Sequence, residues 1–398
     1  MEPCDIGLIG LAVMGQNLVL NMERNGYRVA VYNRTGSVTE AFMAGPATGK
    51  NIYPTYDVGQ LVAALKVPRQ LMIMVKAGPP VDAVIEQLRP HLQAGDILID
   101  GGNSHYTDTE RRAAELAGEG INFLGVGVSG GEEGALWGPS IMPGGQKEAY
   151  EQVKTVHNGI EYGVMQSIAE AYDLLQRGLG LSAADLHQVF ARWNEGPLAS
   201  FLIEITADIF ATVDRDTARP LVNLILDQAK QKGTGKWASQ DALDLGVPVP
   251  TITSAVEARY LSAAKSLRES AAEVLAGPGE RYNGDRTAFV GLVEQALFAS
   301  VICAYAQGFA LLREASQEYG YRLDYSEIAR IWRGGCIIRA AFLDDIRAAY
   351  AADPSLPSLL LAPHFRDALA GRQAAWRHVL QTAIELGIPV PAMSASLA

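Results

Sequence analysis

The sequence has few cysteines. Cys4, Cys303 and Cys336 are the only three in 398 residues, and they stand far apart. With no CxxC pair, neither a zinc site nor a disulfide framework is indicated. The six histidines (His91, His105, His157, His187, His364, His378) show no HExxH spacing. Positive charge is also in short supply, since 33 Lys and Arg face 44 Asp and Glu for a formal net charge of -11. Such a chain repels nucleic acid and anionic membranes, so neither is an expected partner. An anionic ligand would need a local cluster of Lys and Arg. No apolar run reads as long enough to span a bilayer, and Met1–Asp5 lacks the basic stretch that opens a signal sequence. These absences predict a reduced, cytoplasmic, metal-free protein.

What is present fits a soluble globular enzyme of two domains, with 48% hydrophobic and 19% charged residues. The first part alternates short apolar runs with helical patterns. Ile6–Gly10, Arg28–Asn33, Leu71–Val75, Ile97–Asp100 and Phe123–Val128 read as strands. Met14–Asn25, Asp57–Leu65, Pro80–Leu92 and Thr107–Ala117 read as helices. That alternation predicts βαβ units and a parallel, Rossmann-like sheet. After Gly145 the pattern turns helical throughout. The expected division is residues 1–153 as a dinucleotide-binding domain and 154–398 as an all-α domain.

The helical part repeats itself. Gln240–Pro250 matches Gln381–Pro391, and Phe201–Ile205 matches Phe342–Ile346 at the same offset, with Trp193 and Trp332 upstream. A period this long is a duplicated multi-helix unit rather than a solenoid repeat.

The strand at Ile6–Ile9 runs into Gly10, Leu11, Ala12, Val13, Met14 and Gly15, a G-x-A-x-x-G turn ahead of a helix. The first Gly permits the tight turn, the small second residue admits a pyrophosphate, and the third allows close helix–strand packing. The second strand ends in Asn33, Arg34 and Thr35, with no carboxylate for a ribose 2′-hydroxyl. Arg34 suits a 2′-phosphate instead, so NADP is the expected cofactor. Val75, Lys76 and Ala77 follow one strand, Gly101–Ser104 the next, and Ser129–Ala135 the one after. Doubly wound sheets bind ligands at such carboxyl edges. Lys154, His157, Asn158 and Glu161 then fall on one helical face. A solvated face is the bland reading, although His-Asn beside an acid–base pair is an odd choice for solvent. The run Gly233–Lys236 is not a P-loop, because its first Gly is misplaced and Trp237 stands where Ser or Thr is required.

Together Gly10–Gly15, Asn33–Thr35, Gly101–Ser104, Ser129–Gly134, Trp137–Gly145, Lys154–Tyr162, Gln231–Trp237 and Ala258–Tyr260 resemble the motifs of the 6-phosphogluconate dehydrogenase family. The likeness covers nearly the whole chain. It implies oxidative decarboxylation of 6-phosphogluconate with NADP, in the pentose phosphate pathway. Lys154 would be the general base and Glu161 the acid. Asn103, Ser129, Gly130, Gly131, His157 and Asn158 would hold the sugar acid, and Tyr162, Lys232 and Arg259 its phosphate. Val75, Lys76, Ala77 and Asn103 would also line the cofactor. The family's homodimer, formed through the helical domain, is implied as well.

Two departures from the family stand out. Its members carry a further stretch between the counterparts of Val153 and Lys154. They also continue past the equivalent of Ala398 with a helix and a tail that brings Arg and His to the partner's substrate phosphate. A shortened form is therefore expected. Two other readings remain open at this point. One is a sibling dehydrogenase, such as a 3-hydroxyisobutyrate or tartronate semialdehyde reductase. The other is a non-catalytic NADP-binding or oligomer-forming relative.

Overall fold

The computed structural model describes residues 2–144, 149–229, 233–321 and 323–398. The chain divides into two compact units, Met1–Lys154 with Gly334–Ile337, and Thr155–Arg333 with Ile338–Ala398.

The first unit runs β1 (Ile6–Ile9), α1 (Val13–Arg24), β2 (Val29–Tyr32), α2 (Gly36–Ala44), β3 (Ile52–Thr55), α3 (Val58–Ala63), β4 (Gln70–Ile73), α4 (Pro79–Leu88), β5 (Ile97–Asp100), α5 (Tyr106–Ala117), β6 (Asn122–Ser129), α6 (Gly131–Trp137) and β7 (Ser140–Gly144). Its seven strands lie in the order β3-β2-β1-β4-β5-β6-β7. All pair in parallel except β7, which runs antiparallel to β6. The order reverses between β1 and β4, the topological switch point where such sheets bind nucleotides.

The sheet is buried on both faces, which is why its strands read as continuous apolar runs. On one face Ile9, Ala30, Leu71, Ile73 and Leu98 meet Leu61 of α3, Ile85 of α4 and Leu116 of α5. On the other, Leu8, Val29, Val31, Met72, Val126 and Val128 meet Leu18 of α1, Phe42 of α2 and Ala135 of α6. Each such aliphatic side chain contributes roughly 1.5–3 kcal/mol when fully buried.

Four elements depart from the sequence expectation. β3, α2, α6 and β7 were not anticipated, and the segment Ser129–Ala135 is not a loop throughout but enters α6 at Gly131. Both edge strands hold a proline, Pro54 in β3 and Pro143 in β7, which the rim of a sheet tolerates because one side of its backbone is unpaired.

The second unit is helical: α7 (Ala149–Asp173), α8 (Ala183–Trp193), α9 (Phe201–Ala211), α10 (Thr234–Asp244), α11 (Pro250–Ala263), α12 (Lys265–Val274), α13 (Arg286–Glu318), α14 (Tyr325–Arg333), α15 (Leu343–Ala352), α16 (Pro363–Ala370), α17 (Gln373–Glu385) and α18 (Pro391–Leu397). The expected division at residues 153 and 154 falls inside α7, which runs unbroken across it. The helix that opens at Pro250 stops at Ala263, and a new one starts at Lys265.

The duplication is visible in the helix ends. α10 and α17 end at Asp244 and Glu385, and α11 and α18 begin at Pro250 and Pro391, in step with the sequence repeat. The two copies touch through equivalent segments. An antiparallel bridge pairs Ser200 with Ala340, with Phe201 N–H donating to Arg339 C=O and Ala341 N–H to Ala199 C=O.

α13 forms the core of this unit. One apolar stretch of it is long enough to cross a membrane by length and composition alone, contrary to the sequence reading; 67% of that stretch is buried inside the fold. Its Gly308 lets Ile160 and Val156 of α7 press against the backbone, since a Cβ there would stand 2.4 Å from Ile160 Cδ1.

Candidate active site

The turn after β1 is shaped by steric necessity. Gly10 has φ +102, and a Cβ there would lie 2.4 Å from the Met74 carbonyl oxygen. A Cβ on Gly15 would lie 2.0 Å from the Gly10 carbonyl oxygen, so α1 packs directly on the turn. Ala12 is the N-cap of α1 and brings no side-chain cap of its own, leaving the first helical amides for a ligand. Val13 is half exposed beside it. The Asn33 side chain braces the turn by accepting from Leu11 N–H at 3.1 Å and donating to Thr35 C=O. Arg34 is exposed and has no ion-pair partner among the described residues. Glycines where no side chain fits, free helix amides and an uncommitted guanidinium suit a dinucleotide carrying an extra phosphate.

Two further loops adjoin this turn at the carboxyl ends of β4 and β5. Val75, Lys76 and Ala77 lead to Gly78, which has φ +90 and caps α4. Gly102 lies so close that a Cβ on it would sit 2.5 Å from the Val75 carbonyl oxygen, and Gly101 N–H donates to Ile73 C=O at 2.9 Å. Asn103 is one of two non-glycine residues with positive φ among those described, at +57, and its Oδ1 accepts from Val128 N–H at 3.3 Å. Left-handed backbone in a residue other than Gly costs of order 1–3 kcal/mol and persists only where the surroundings fix it.

What fixes it lies beneath the loop. Asp100 accepts from Gly102 N–H at 2.9 Å, from the Ser104 hydroxyl at 2.6 Å and from Arg112 at 3.2 Å. Burial pushes the Asp100 carboxyl above the usual carboxylate range, while Ser104, Gly102 and Arg112 pull against it. Asp82, more open and paired with Arg112 and Arg111, is held down at about 2. Sequence reasoning did not single out Asp82 or Arg112. The one sequence signal is that Arg112 falls on the buried side of α5, with Thr109 and Leu116.

Ser129 closes β6 and is buried, with Ile337 N–H directed at its Oγ at 3.5 Å. Gly130 has φ +126, and a Cβ there would collide with Gly134 Cα and the Gly335 carbonyl oxygen, both at 2.8 Å. Gly131, at φ +62, opens α6. α6 is tied to α1 by Asn17 donating to Glu132 C=O and Asn21 to Ala135 C=O, both at 3.0 Å. The Arg24 guanidinium donates to Leu136 C=O and stands 4.4 Å over the Trp137 ring.

The polar face of α7 is not solvated. Lys154, His157 and Asn158 are 6%, 0% and 7% exposed. Lys154 packs its aliphatic stem against Gly127 of β6, where a Cβ would come within 2.8 Å of its Cγ. His157 sets its edge against Trp332, with ring centroids 6.0 Å apart, and its Nε2 lies 3.7 Å from Glu161 Oε2 one turn on. Burying an amine, an imidazole and an amide costs free energy unless each meets a polar partner, so this face is built for polar contacts rather than for solvent.

Farther along α7, Tyr162 lies beneath the Arg259 guanidinium, 5.2 Å from ring centroid to Cζ. Its ring also fills the space beside Gly235, in the first turn of α10. Gly233, left-handed at φ +97, caps that helix. Tyr162, Arg259 and the α10 N-terminus thus converge as an anion site would require. Lys232, expected beside them, lies outside the described residues. Among the described residues no three His, Cys, Asp or Glu side chains converge as metal ligands would.

Comparison with known proteins agrees along the length of the chain. The family model described as the NAD binding domain of 6-phosphogluconate dehydrogenase matches residues 5–164, and that of the 6-phosphogluconate dehydrogenase C-terminal domain matches 151–398. A decarboxylating 6-phosphogluconate dehydrogenase of Synechococcus elongatus is 58% identical over 98% of this chain and 90% of its own length. An NADP(+)-dependent, decarboxylating one of Bacillus subtilis is 52% identical over 100% of this chain and 91% of its own. Among solved structures, Plasmodium falciparum 6-phosphogluconate dehydrogenase, studied with its cofactor NADP+ and with its substrate 6-phosphogluconate, superposes with a TM-score of 0.89. It is 42% identical and covers 99% of this chain and 91% of that one. The Bacillus subtilis alignment spans 428 positions against the 398 residues here, so roughly thirty positions of that span face no residue in this chain.

Proposed function

The chain belongs to the 6-phosphogluconate dehydrogenase family, and we propose that it oxidises and decarboxylates 6-phosphogluconate to ribulose 5-phosphate and CO2 as NADP is reduced. NADP, when bound, supplies the acceptor for the hydride that leaves C3 of the sugar acid. It is held by the turn Gly10–Gly15, by Asn33, Arg34 and Thr35, and by Val75, Lys76, Ala77 and Asn103.

The remaining steps fall to side chains of this chain. Lys154 takes the proton of the 3-hydroxyl, and to accept it the amine must start neutral. Once protonated, it donates to the 3-keto oxygen, which draws in the electron pair of the C1–C2 bond as the carboxylate departs as CO2. Glu161 then gives a proton to the enediol carbon left behind while Lys154 takes back the proton of the adjoining enediol hydroxyl, which leaves the ketone of ribulose 5-phosphate. Asn103, Ser129, Gly130, Gly131, His157 and Asn158 orient the sugar acid, and Tyr162, Lys232 and Arg259 take its phosphate. Lys232 and Arg259 answer the requirement that an acidic protein concentrate positive charge locally for a dianion.

One observation carries this reading: a Lys, a His and an Asn on successive turns of α7, withdrawn from water. The test is to supply the purified protein with 6-phosphogluconate and NADP and follow NADPH and CO2 together. Equal amounts of both support the reading. NADP binding with neither product would leave a non-catalytic member of the family, which the roughly thirty unmatched positions would then explain.

A homodimer is part of the same reading. α12 has no buried residue, and its Leu267 and Val274 are 69% and 78% exposed. Ile225 and Leu226 are exposed beside it, held there by Asp227, which pairs with Lys265 and Arg268. A second copy would cover this apolar face. Light scattering should give twice the chain mass, and Leu267→Glu with Val274→Glu should halve it. The three cysteines, all buried thiols, suit a reduced cytoplasmic setting.

A further inference from the structure

We propose that Arg112 is a positioning residue that locks the cofactor-side loop 75–78 and the substrate-side loop 101–104 into one unit, so that Asn103 is presented to its ligand only while Gly78 is held. The proposal rests on the assignment of those two loops to NADP and to the sugar acid.

Arg112 projects from α5 and is 1% exposed. A guanidinium has five N–H donors in a rigid fork. Here each has an acceptor. Nε donates to Asp82 Oδ1 at 2.8 Å. Nη1 donates to Asp100 Oδ2 at 3.2 Å and to the Ser104 oxygen at 3.0 Å. Nη2 donates to Gly78 C=O at 3.1 Å and to Asp82 Oδ2 at 3.0 Å. The Ser104 hydroxyl gives its own proton to Asp100, which leaves its lone pairs for the guanidinium. The network therefore has one self-consistent set of donors and acceptors.

Its members are divided between the two loops. Gly78 ends the first, and Asp82 fixes α4 just behind it. Gly102 and Ser104 belong to the second, held through Asp100. The loops also touch directly, with Gly102 against the Val75 carbonyl. Asn103, between Gly102 and Ser104, keeps its left-handed conformation because both neighbours are pinned from below. A staple serving only to join α4 to α5 would need Asp82 alone; the contacts to Gly78 C=O and Ser104 reach past the helices to the backbone that ligands meet.

The experiment compares wild type with Arg112→Lys and Ser104→Ala. Lys keeps the charge but has three donors at one point, so it cannot serve Asp82, Asp100, Gly78 and Ser104 together. Three quantities are read: amide hydrogen exchange of the two loops in the ligand-free protein, NADPH affinity by fluorescence titration, and 6-phosphogluconate affinity by calorimetry. Arg112→Lys should speed exchange in both loops and weaken both ligands, each by about ten-fold, the loss of one or two charge-assisted hydrogen bonds. Ser104→Ala should speed exchange only in 101–104 and weaken the sugar acid by about ten-fold but NADPH by only about two-fold, since NADPH loses Asn103 alone and keeps the turn after β1 and loop 75–78. In turnover, Ser104→Ala should raise KM for the sugar acid more than it lowers kcat, a split that general loss of folded protein does not produce.

Arg112→Lys with both affinities unchanged, or with faster exchange in one loop alone, would overturn the proposal. Should Arg112→Lys fail to fold, Ser104→Ala decides: equal losses for both ligands, or none, overturn it. If the wild type binds no 6-phosphogluconate, the functional assignment fails, and the exchange pattern still judges the linkage by itself.

Discussion

The carboxylate of Glu170, near the end of α7, accepts from the backbone N–H of Ala392 at 2.8 Å, in the first turn of α18. Met393 N–H adds a second bond at 2.9 Å and the Gln166 side chain a third at 3.0 Å. The other half of the duplication has a matching contact, where Gln307 of α13 accepts from Thr251 N–H in the first turn of α11 at 3.0 Å. Each copy's long helix thus caps the other copy's last helix.

Burial raises Glu170 from the ordinary carboxylate range to about 7, against the pull of those amides. A carboxyl raised on folding adds stability that is complete below its unfolded value and is lost as pH rises through the folded one. From about pH 5 to 8 this group should therefore withdraw up to about 3 kcal/mol. Glu170→Gln does not titrate, so its melting temperature should fall less over that range than the wild type's. Parallel melting curves against pH would rule Glu170 out as the source.

Lys154→Met keeps the apolar stem that packs on Gly127 and removes only the amine. Turnover should drop by about 10²–10⁴, the span of a general base. NADPH titration should stay within a factor of two or so of wild type, because the turn after β1 is untouched. Turnover near the wild-type rate would take the base role from Lys154.

Arg34 is exposed at the end of β2 with no described ion-pair partner to lose, so its replacement should leave the fold intact. Arg34→Ala should weaken NADP by about 10–100-fold, the worth of charge-assisted hydrogen bonds to a phosphate. NAD should bind almost as before. Equal losses for the two nucleotides would place the 2′-phosphate elsewhere.

Gly10→Ala puts a methyl 2.4 Å from the Met74 carbonyl oxygen at a φ of +102. It should cost about 2–4 kcal/mol of stability and most of the NADP affinity. Urea unfolding followed through the sheet signal measures the first; an unchanged midpoint would show that the turn relaxes.

Strands buried on both faces were easy to read, because their apolar runs need no partner to be recognised. β3 and β7 were not. Ile52–Thr55 and Ser140–Gly144 carry proline and little apolar length, and become strands only because β2 and β6 offer them an edge. α6, with glycines at 131 and 134, has weak helix propensity and is held by side chains of α1. The polar face of α7 could be placed by spacing, whereas its withdrawal from water could not, since that depends on residues such as Gly127 and Trp332. The Arg112 network was invisible for the same reason: Asp82 and Gly78 are some thirty residues away in sequence, and only the sheet order brings them together.

The bridge between Ser200 and Ala340, with the exchanged helix caps, gives the helical unit the character of a dimer written into one polypeptide. The stretch from Leu275 to Gly284, exposed except at Tyr282, whose N–H donates to Gly178 C=O, is the tether between its halves. For two separate chains, such pairing would weaken on dilution. A covalent tether instead fixes the effective concentration of one half around the other, about millimolar for a short linker. The assembly that carries Glu161 and Arg259 is thereby independent of how much protein is present, whatever the concentration at which whole subunits meet.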